Sequence, residues 1–396
     1  MVAARELVLG FWRAVPVLGV TQIISWGTIF YTPVLILPLV AADRGWSIAF
    51  AMGGFSTGLL VAGLAAPSVG RALDRVGGHV VMTAGSLTGA LGLVLIVHAE
   101  SKVAYLAVWV VLGLAMAANL YDSAFASLGR IFAAAARRPI TALTLIGGFA
   151  STVSWPVTHV LLEGYGWRGT YLIYAALLAG VSAPLHAFAL PRGRHEADRA
   201  PGAPTPAPEQ VLPPHGLPFI LVASAFAAYA FVPSGLSAHL LAIFDRSGID
   251  ASTVVWIGAL FGPAQVGARL VEFAFGRNLH PLWVVRFALT TLLCAFFMLA
   301  VLGISAPVAA AFALMFGGAN GLVTITRGAV PLALFGASGY GRLMGRLAGP
   351  FLLMQAVAPL VMAFVVERTS DPAALAVAAG FAAVALVCFL LIRRPG

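Results

Sequence analysis

The chain has 396 residues, of which 61% are hydrophobic and 9% charged, with a formal net charge of +9 and a mean hydropathy of +0.98. Soluble domains carry about 25% charged residues, so a soluble fold is excluded. The positive charge does not point to nucleic acid, because Lys102 is the one lysine and the arginines stand at the ends of apolar runs.

Apolar runs of about 20 residues, each long enough to cross the hydrocarbon, recur from end to end. They lack the strict alternation of short strands that a membrane barrel needs. The reading is twelve spans, at 14–40, 48–69, 80–98, 103–129, 140–162, 169–190, 217–243, 252–276, 282–304, 307–327, 347–366 and 373–392. The expected fold class is therefore an all-α polytopic membrane protein with twelve transmembrane helices in two six-helix bundles. Pro33, Pro156, Pro233, Pro263 and Pro359 lie inside spans and predict bends. The first run is about twice the length of a signal-peptide core and has no small-residue cleavage site beside it, so it is expected to stay. Cys294 and Cys388 sit in apolar segments without ligand-spaced neighbours, which predicts inert thiols and no metal or other cofactor.

With the N-terminus inside, seventeen arginines fall on the cytoplasmic side. Arg44, Lys102, Arg168, Arg246 and Arg368 fall on the other, and Arg269 is left within a span. That bias predicts two cytoplasmic termini. The arginine-rich pattern and short loops suit a bacterial inner membrane. Residues 191–216, rich in proline, alanine and charge, read as an extended linker. They divide the chain into an N-terminal bundle, 1–190, and a C-terminal bundle, 217–396. The basic loops from Arg130 to Pro139 and from Arg327 to Arg346 occupy equivalent places in the two halves, a weak echo of duplication.

Between the second and third spans stands Gly70-Arg71-Ala72-Leu73-Asp74-Arg75-Val76-Gly77-Gly78-His79. Its glycine pair allows a tight turn with positive φ. Asp74 is placed near a helix end, where it can meet an arginine or accept backbone N–H bonds. The pattern resembles the loop signature of the major facilitator superfamily, with Gly70, Asp74, Arg75 and Gly77 matching. His79 stands where that family has Arg or Lys. The resemblance implies a gating motif that latches the two halves on the cytoplasmic side. Gly166-Trp167-Arg168 is similar to the approach to the sixth helix in that superfamily. Gly45-Trp46-Ser47 resembles the approach to the second helix in its monocarboxylate and oxalate/formate branches.

Ionisable groups inside a bilayer are costly, and each is a candidate for function. Arg269 lies eight residues before Arg277, about 12 Å along a helix, and a guanidinium there grips a carboxylate with two parallel bonds. The run Gly262-Pro263-Ala264-Gln265-Val266-Gly267-Ala268-Arg269 is similar to the eighth helix of monocarboxylate transporters, where the resemblance implies a substrate-binding arginine. Their aspartate one turn earlier is replaced here by Gln265, which does not titrate, and their first-helix lysine is absent. The alternative for Arg269 is an ion pair with Glu272 on the same face, acting as a gate. Asp122, after Asn119 and Tyr121, is a proton-coupling candidate or the partner of a neighbouring arginine. Glu272 and His159 complete the coupling candidates, although a lone histidine at a span end is more often a packing residue. His186 and His239 are expected at the interfaces. Gln22, Trp26, Tyr31, Trp155, Gln265, Asn320 and Gln355 are candidate cavity residues. The superfamily's central first, fourth, seventh and tenth helices add weight to Trp26, Tyr31, Asp122, Tyr229 and Asn320.

No phosphate-cradling loop, paired carboxylates or nucleophile elbow argue for ATP-driven or enzymatic chemistry. The expectation is a monomeric secondary transporter working by alternating access. Its cargo is expected to be a small organic anion such as a monocarboxylate, with ion or proton coupling. The alternative is an exporter of a drug-like or toxic compound.

Overall fold

The computed structural model describes residues 10–192, 212, 214–237, 239–276 and 279–393, and every regular element among them is helical. Most of the expected linker, 191–216, lies outside the described residues. Ten helical stretches are long and apolar enough to cross a membrane. One of them, Lys102–Ala189, runs 88 residues, several times the roughly 20 that one crossing needs. It turns at Ala133 and at Gly166, where φ is 49° and 63°. Divided there it supplies three crossings, which makes twelve among the described residues.

The crossings are α1 (Phe11–Arg44), α2 (Ile48–Val76), α3 (Gly78–His98), α4 (102–132), α5 (137–165) and α6 (167–189). The second series is α7 (Gly216–Ser237), α8 (Ser252–Phe275), α9 (Pro281–Leu302), α10 (Ala306–Phe335), α11 (Tyr340–Arg368) and α12 (Asp371–Leu391). Contacts gather these into two compact units. One holds residues up to Glu209 together with Gly336–Gly349; the other holds Gln210–Phe335 and Pro350–Gly396. The first fourteen residues after α10 thus pack with the first unit, although a purely linear division assigns them to the second half.

The sequence read 70–79 as a loop. The helices run closer together than that: α2 continues to Val76, α3 begins at Gly78, and Gly77 alone, at φ 85°, makes the turn. Polar Arg71, Asp74 and Arg75 therefore extend α2 by two further turns.

The two series repeat each other in detail. Asp43, at the end of α1, holds Arg168 at the start of α6 through two bonds of 2.7 and 3.1 Å. Arg246, after α7, holds Asp371 at the start of α12 through bonds of 2.6 and 2.9 Å. Asp43 lines up with Arg246 and Arg168 with Asp371, a shift of 203 residues in both, with the charges exchanged. The same shift carries Gly45 onto Gly248, both at positive φ (65° and 88°). It also carries Ser47 onto Asp250, and both side chains cap the following helix, accepting from Phe50 N and Thr253 N. Such a glycine ends one helix and such a cap begins the next, so the spacing of the elements is written twice. Packing repeats as well: α2 and α3 lie on α4 as α8 and α9 lie on α10.

Candidate functional site

In the second unit α8 and α10 approach until backbone meets backbone. A Cβ on Gly317 would stand 2.7 Å from Phe261 O, and one on Gly321 2.5 Å from Gln265 O. That closeness places Arg269 against α10. Its side chain is 3% exposed; Nε donates to Gly321 O and Nη2 to Gln265 Oε1, each at 3.4 Å. Glu272, one turn on, is buried as well. Asn320, beside Gly321, accepts through Oδ1 from the buried Tyr229 hydroxyl on α7, and Tyr229 lies within electrostatic reach of Arg269. The structure therefore brings Arg269, Gln265, Asn320 and Tyr229 into one polar cluster. Charge, amide and phenol together suit recognition of an anion with a polar substituent.

In the first unit the cluster is built on two interruptions of helix. The stretch Trp26–Tyr31 of α1 winds as a π-helix, a local irregularity that often marks function. The Trp26 ring packs on Phe30, Tyr31 and Tyr121 at 4.6, 5.8 and 5.0 Å. The expected continuous span 103–129 is broken at Leu120, whose backbone is extended (ψ −174°) between Lys102–Asn119 and Tyr121–Phe132. A break inside a membrane leaves carbonyls without helical partners. Here Ser123 Oγ donates to Ala117 O at 2.7 Å, and Gln22 Nε2 donates to Asn119 O at 2.6 Å. Gln22 Oε1 in turn accepts from Trp26 Nε1 at 3.0 Å. Asp122 sits in the first turn of the second half-helix, where a carboxylate is favoured by the free N–H groups.

Trp155 and His159 lie apart from that cluster along α5. With Leu35, Ser151, Thr152, Pro156 and Leu162 they line an open groove of about 510 Å³. Trp155 is 50% exposed. His159, a coupling candidate weighed against a packing role, is exposed, with Nε2 at 3.3 Å from Glu163 Oε1 one turn on.

The Gly70–His79 motif meets the segment 336–349. Asp74 Oδ1 accepts from Gly341 N at 2.8 Å and Oδ2 from Arg342 N at 2.7 Å. These are among the first N–H groups of α11, which have no partner within their own helix. Gly70 permits the approach, since a Cβ there would run into the Gly341 carbonyl. Arg130 Nη1 donates to the Asp74 and Leu73 carbonyls at the end of α2. Arg75 is exposed, and the His79 ring stands over Gly77 beside Arg130.

The sequence reading counted Gln22 as a candidate cavity residue and Tyr121 only as a neighbour of Asp122; in the structure both hold Trp26. The spacing of Gln22 and Trp26, four apart on one helix face, was the available signal. His186, expected at an interface, is fully buried within the first unit. The reason is that this end of α6 packs against α1 and α3, whose Thr21 and Ser86 hydroxyls receive the ring.

A family model described as Major Facilitator Superfamily matches residues 17–345. Among solved structures the chain is similar to the human organic anion transporter MFSD10 (TETRAN), with 18% identity, a TM-score of 0.73, and 96% of this chain and 99% of that one covered. It is also similar to the transporter FucP in the outward conformation, at 11% identity, TM-score 0.75, and 98% and 99% coverage. A third likeness is to the proton:xylose symporter XylE, at 10% identity, TM-score 0.70, and 96% and 95% coverage. At these identities the likenesses speak to the fold. No curated protein matches by sequence.

Proposed function

We propose, for a chain that belongs to the major facilitator superfamily of secondary transporters, that the cargo is a small organic anion of the monocarboxylate kind. The observation that carries this reading is the buried Arg269 guanidinium. Between α8 and α10 its Nε donates to Gly321 O and its Nη2 to Gln265 Oε1, each at 3.4 Å. Bonds of that length are weak, and a carboxylate arriving as ligand exchanges them for shorter charge-assisted ones. Asn320 and Tyr229 supply the amide and hydroxyl beside it. Glu272 is the gate partner of Arg269 when cargo is absent, and Asp122 is the group that exchanges the coupling proton. In this reading the six-helix halves, 1–190 and 217–396, alternate access as a monomer in a bacterial inner membrane, with both termini cytoplasmic.

The groove along α5 favours a second reading. Its half-exposed Trp155 among Leu35, Pro156 and Leu162 suits the body of an amphipathic compound, as an exporter would carry. Uptake of labelled small carboxylates into proteoliposomes decides between them. The first reading expects saturable uptake that Arg269→Lys lowers at least about tenfold, because an ammonium offers no two-point fork. Undiminished uptake in that variant removes Arg269 as the anion clamp, and efflux of a cationic dye with no carboxylate uptake favours the second.

A further inference from the structure

The first unit encloses a polar group that the cargo site does not use. Thr21 and Gln22 on α1, Ser86 on α3, Asn119 on α4, and Ser182 and His186 on α6 are each 0% exposed. The His186 ring lies between two hydroxyls, with Nε2 at 2.9 Å from Thr21 Oγ1 and Nδ1 at 3.1 Å from Ser86 Oγ. Both ring partners are hydroxyl oxygens able to accept, so both N–H groups of a protonated ring find partners, as does the one N–H of the neutral ring.

Ser86 is the branch point. Its hydroxyl has a single proton, and two acceptors stand within reach: His186 Nδ1 at 3.1 Å and Asn119 Oδ1 at 3.4 Å. With the ring accepting at Nδ1, the proton goes to the nearer nitrogen. With Nδ1 protonated, the ring donates to Ser86 Oγ, and the serine proton turns to Asn119. The Asn119 backbone carbonyl already holds Gln22, and Gln22 holds Trp26.

We infer that His186 is a proton-binding site of this transporter, and that a proton taken up from solvent reaches the break in α4 by turning the Ser86 hydroxyl from the ring to Asn119. One N–H bond forms on the ring as one O–H bond of a hydronium breaks to leave water, and the unit gains one positive charge. The charged groups and other histidines on the helices around the ring stand toward their ends or breaks: Arg13, Asp43 and Arg44 on α1, His79 and His98 on α3, Lys102, Asp122 and Arg130 on α4, and Arg168 on α6. Arg13 Nε donates to Ala189 O at 3.0 Å. None of these groups is a hydrogen-bond partner of the ring, whose partners are neutral hydroxyls, so a charged ring there is penalised by lost hydration. Protonation therefore favours an arrangement that admits water. Asn119 Nδ2 and Ser182 Oγ, buried without a protein partner, are polar positions that such water would satisfy.

The test is solid-state NMR of the full chain in lipid nanodiscs, with nitrogen-labelled histidine and asparagine, between about pH 8 and pH 4. The His186 signals are identified by their loss in His186→Gln, and the Asn119 amide by its loss in Asn119→Ala. The expected result is a change from the neutral to the protonated ring pattern, with the Asn119 side-chain signal shifting at the same midpoint. In Ser86→Ala the ring still titrates and the Asn119 shift is lost, whereas Ser86→Thr keeps it. A ring that stays neutral throughout overturns the proposal. So does an Asn119 shift that persists in Ser86→Ala. Neither readout depends on Arg269 or on the identity of the cargo.

Discussion

The Asp74 carboxylate takes the Gly341 backbone N–H at 2.8 Å, and its second oxygen takes the next N–H along, that of Arg342, at 2.7 Å. One side chain at the end of α2 thereby caps the start of α11 across 267 residues of sequence. Replacing Asp74 by Asn removes the charge and turns one of the two accepting oxygens into an NH2 donor, so one bond is lost and the other weakened. Charge-assisted bonds contribute about 1.5–3 kcal/mol each when buried, and this site is partly open to solvent. The expected loss is therefore about 1–2 kcal/mol, read as a lowered unfolding midpoint in detergent.

Gly341 tests the same contact from the other side. An added Cβ would stand 2.5 Å from Asp74 Oδ1 and 2.8 Å from Gly70 O, and backbone cannot yield as a flexible side chain does. Gly341→Ala is expected to cost about 1–3 kcal/mol by overpacking. Gly262→Ala, with open space around the new methyl, is expected to leave the unfolding midpoint within about 0.5 kcal/mol of the parent.

The clasps Asp43–Arg168 and Arg246–Asp371 are two-bonded but exposed, with side-chain exposures of 51% and 34% in the first and 47% and 23% in the second. Screening limits such pairs to about 0–1 kcal/mol. Asp43→Asn or Asp371→Asn is therefore expected to lower stability only slightly, and less at high salt. The double exchange Asp43→Arg with Arg168→Asp reproduces the order already present in the second series, and should recover most of what either single change loses.

Arg269→Lys keeps the charge and loses the fork; Tyr229→Phe keeps the ring and leaves Asn320 Oδ1 without its donor. If the cluster binds an anion, the lysine variant loses at least about tenfold in uptake. The phenylalanine variant loses less, about three- to tenfold for one neutral hydrogen bond. Radiolabelled uptake at several concentrations separates a raised half-saturation from a lowered maximal rate.

Bonds from Ser252 Oγ and Thr253 N hold the Asp250 carboxyl below the usual carboxylate range. A carboxylate depressed in the folded state contributes stability above its unfolded pKa of about 3.9, and that contribution fades as pH falls through the lower folded value. Asp250→Asn should therefore flatten the acid limb of the unfolding-midpoint profile while leaving its slope near neutral pH unchanged.

Crossing number and helix ends were legible because apolar length and caps are local properties. Gly45-Trp46-Ser47 announces a stop and a start in three letters. The motif at Asp74 was legible as a helix-end acid, but its partner was not, since Gly341 and Arg342 contribute only backbone, which any sequence has. The break at Leu120 was equally hidden. Nothing in Asn-Leu-Tyr demands it, and it stands because Ser123 and Gln22 satisfy the carbonyls it frees. His186 was misplaced for a related reason: an apolar neighbourhood in sequence resembles a lipid boundary until the hydroxyls of Thr21 and Ser86 arrive from other helices.

The winding irregularities are unevenly shared. Among the described residues the three π-helical stretches, Trp26–Tyr31, Leu178–Ser182 and Leu185–Ala189, all belong to the first series, while α10 and α11 run as single helices of 30 and 29 residues. A π turn has already given up regular winding, so bending there sacrifices fewer ladder bonds than bending an intact rod. The second series bends by other means, a step at Leu260 in α8 and prolines at Pro331, Pro350 and Pro359 within α10 and α11, so the two copies of one blueprint share their helix ends but not the places where their helices yield.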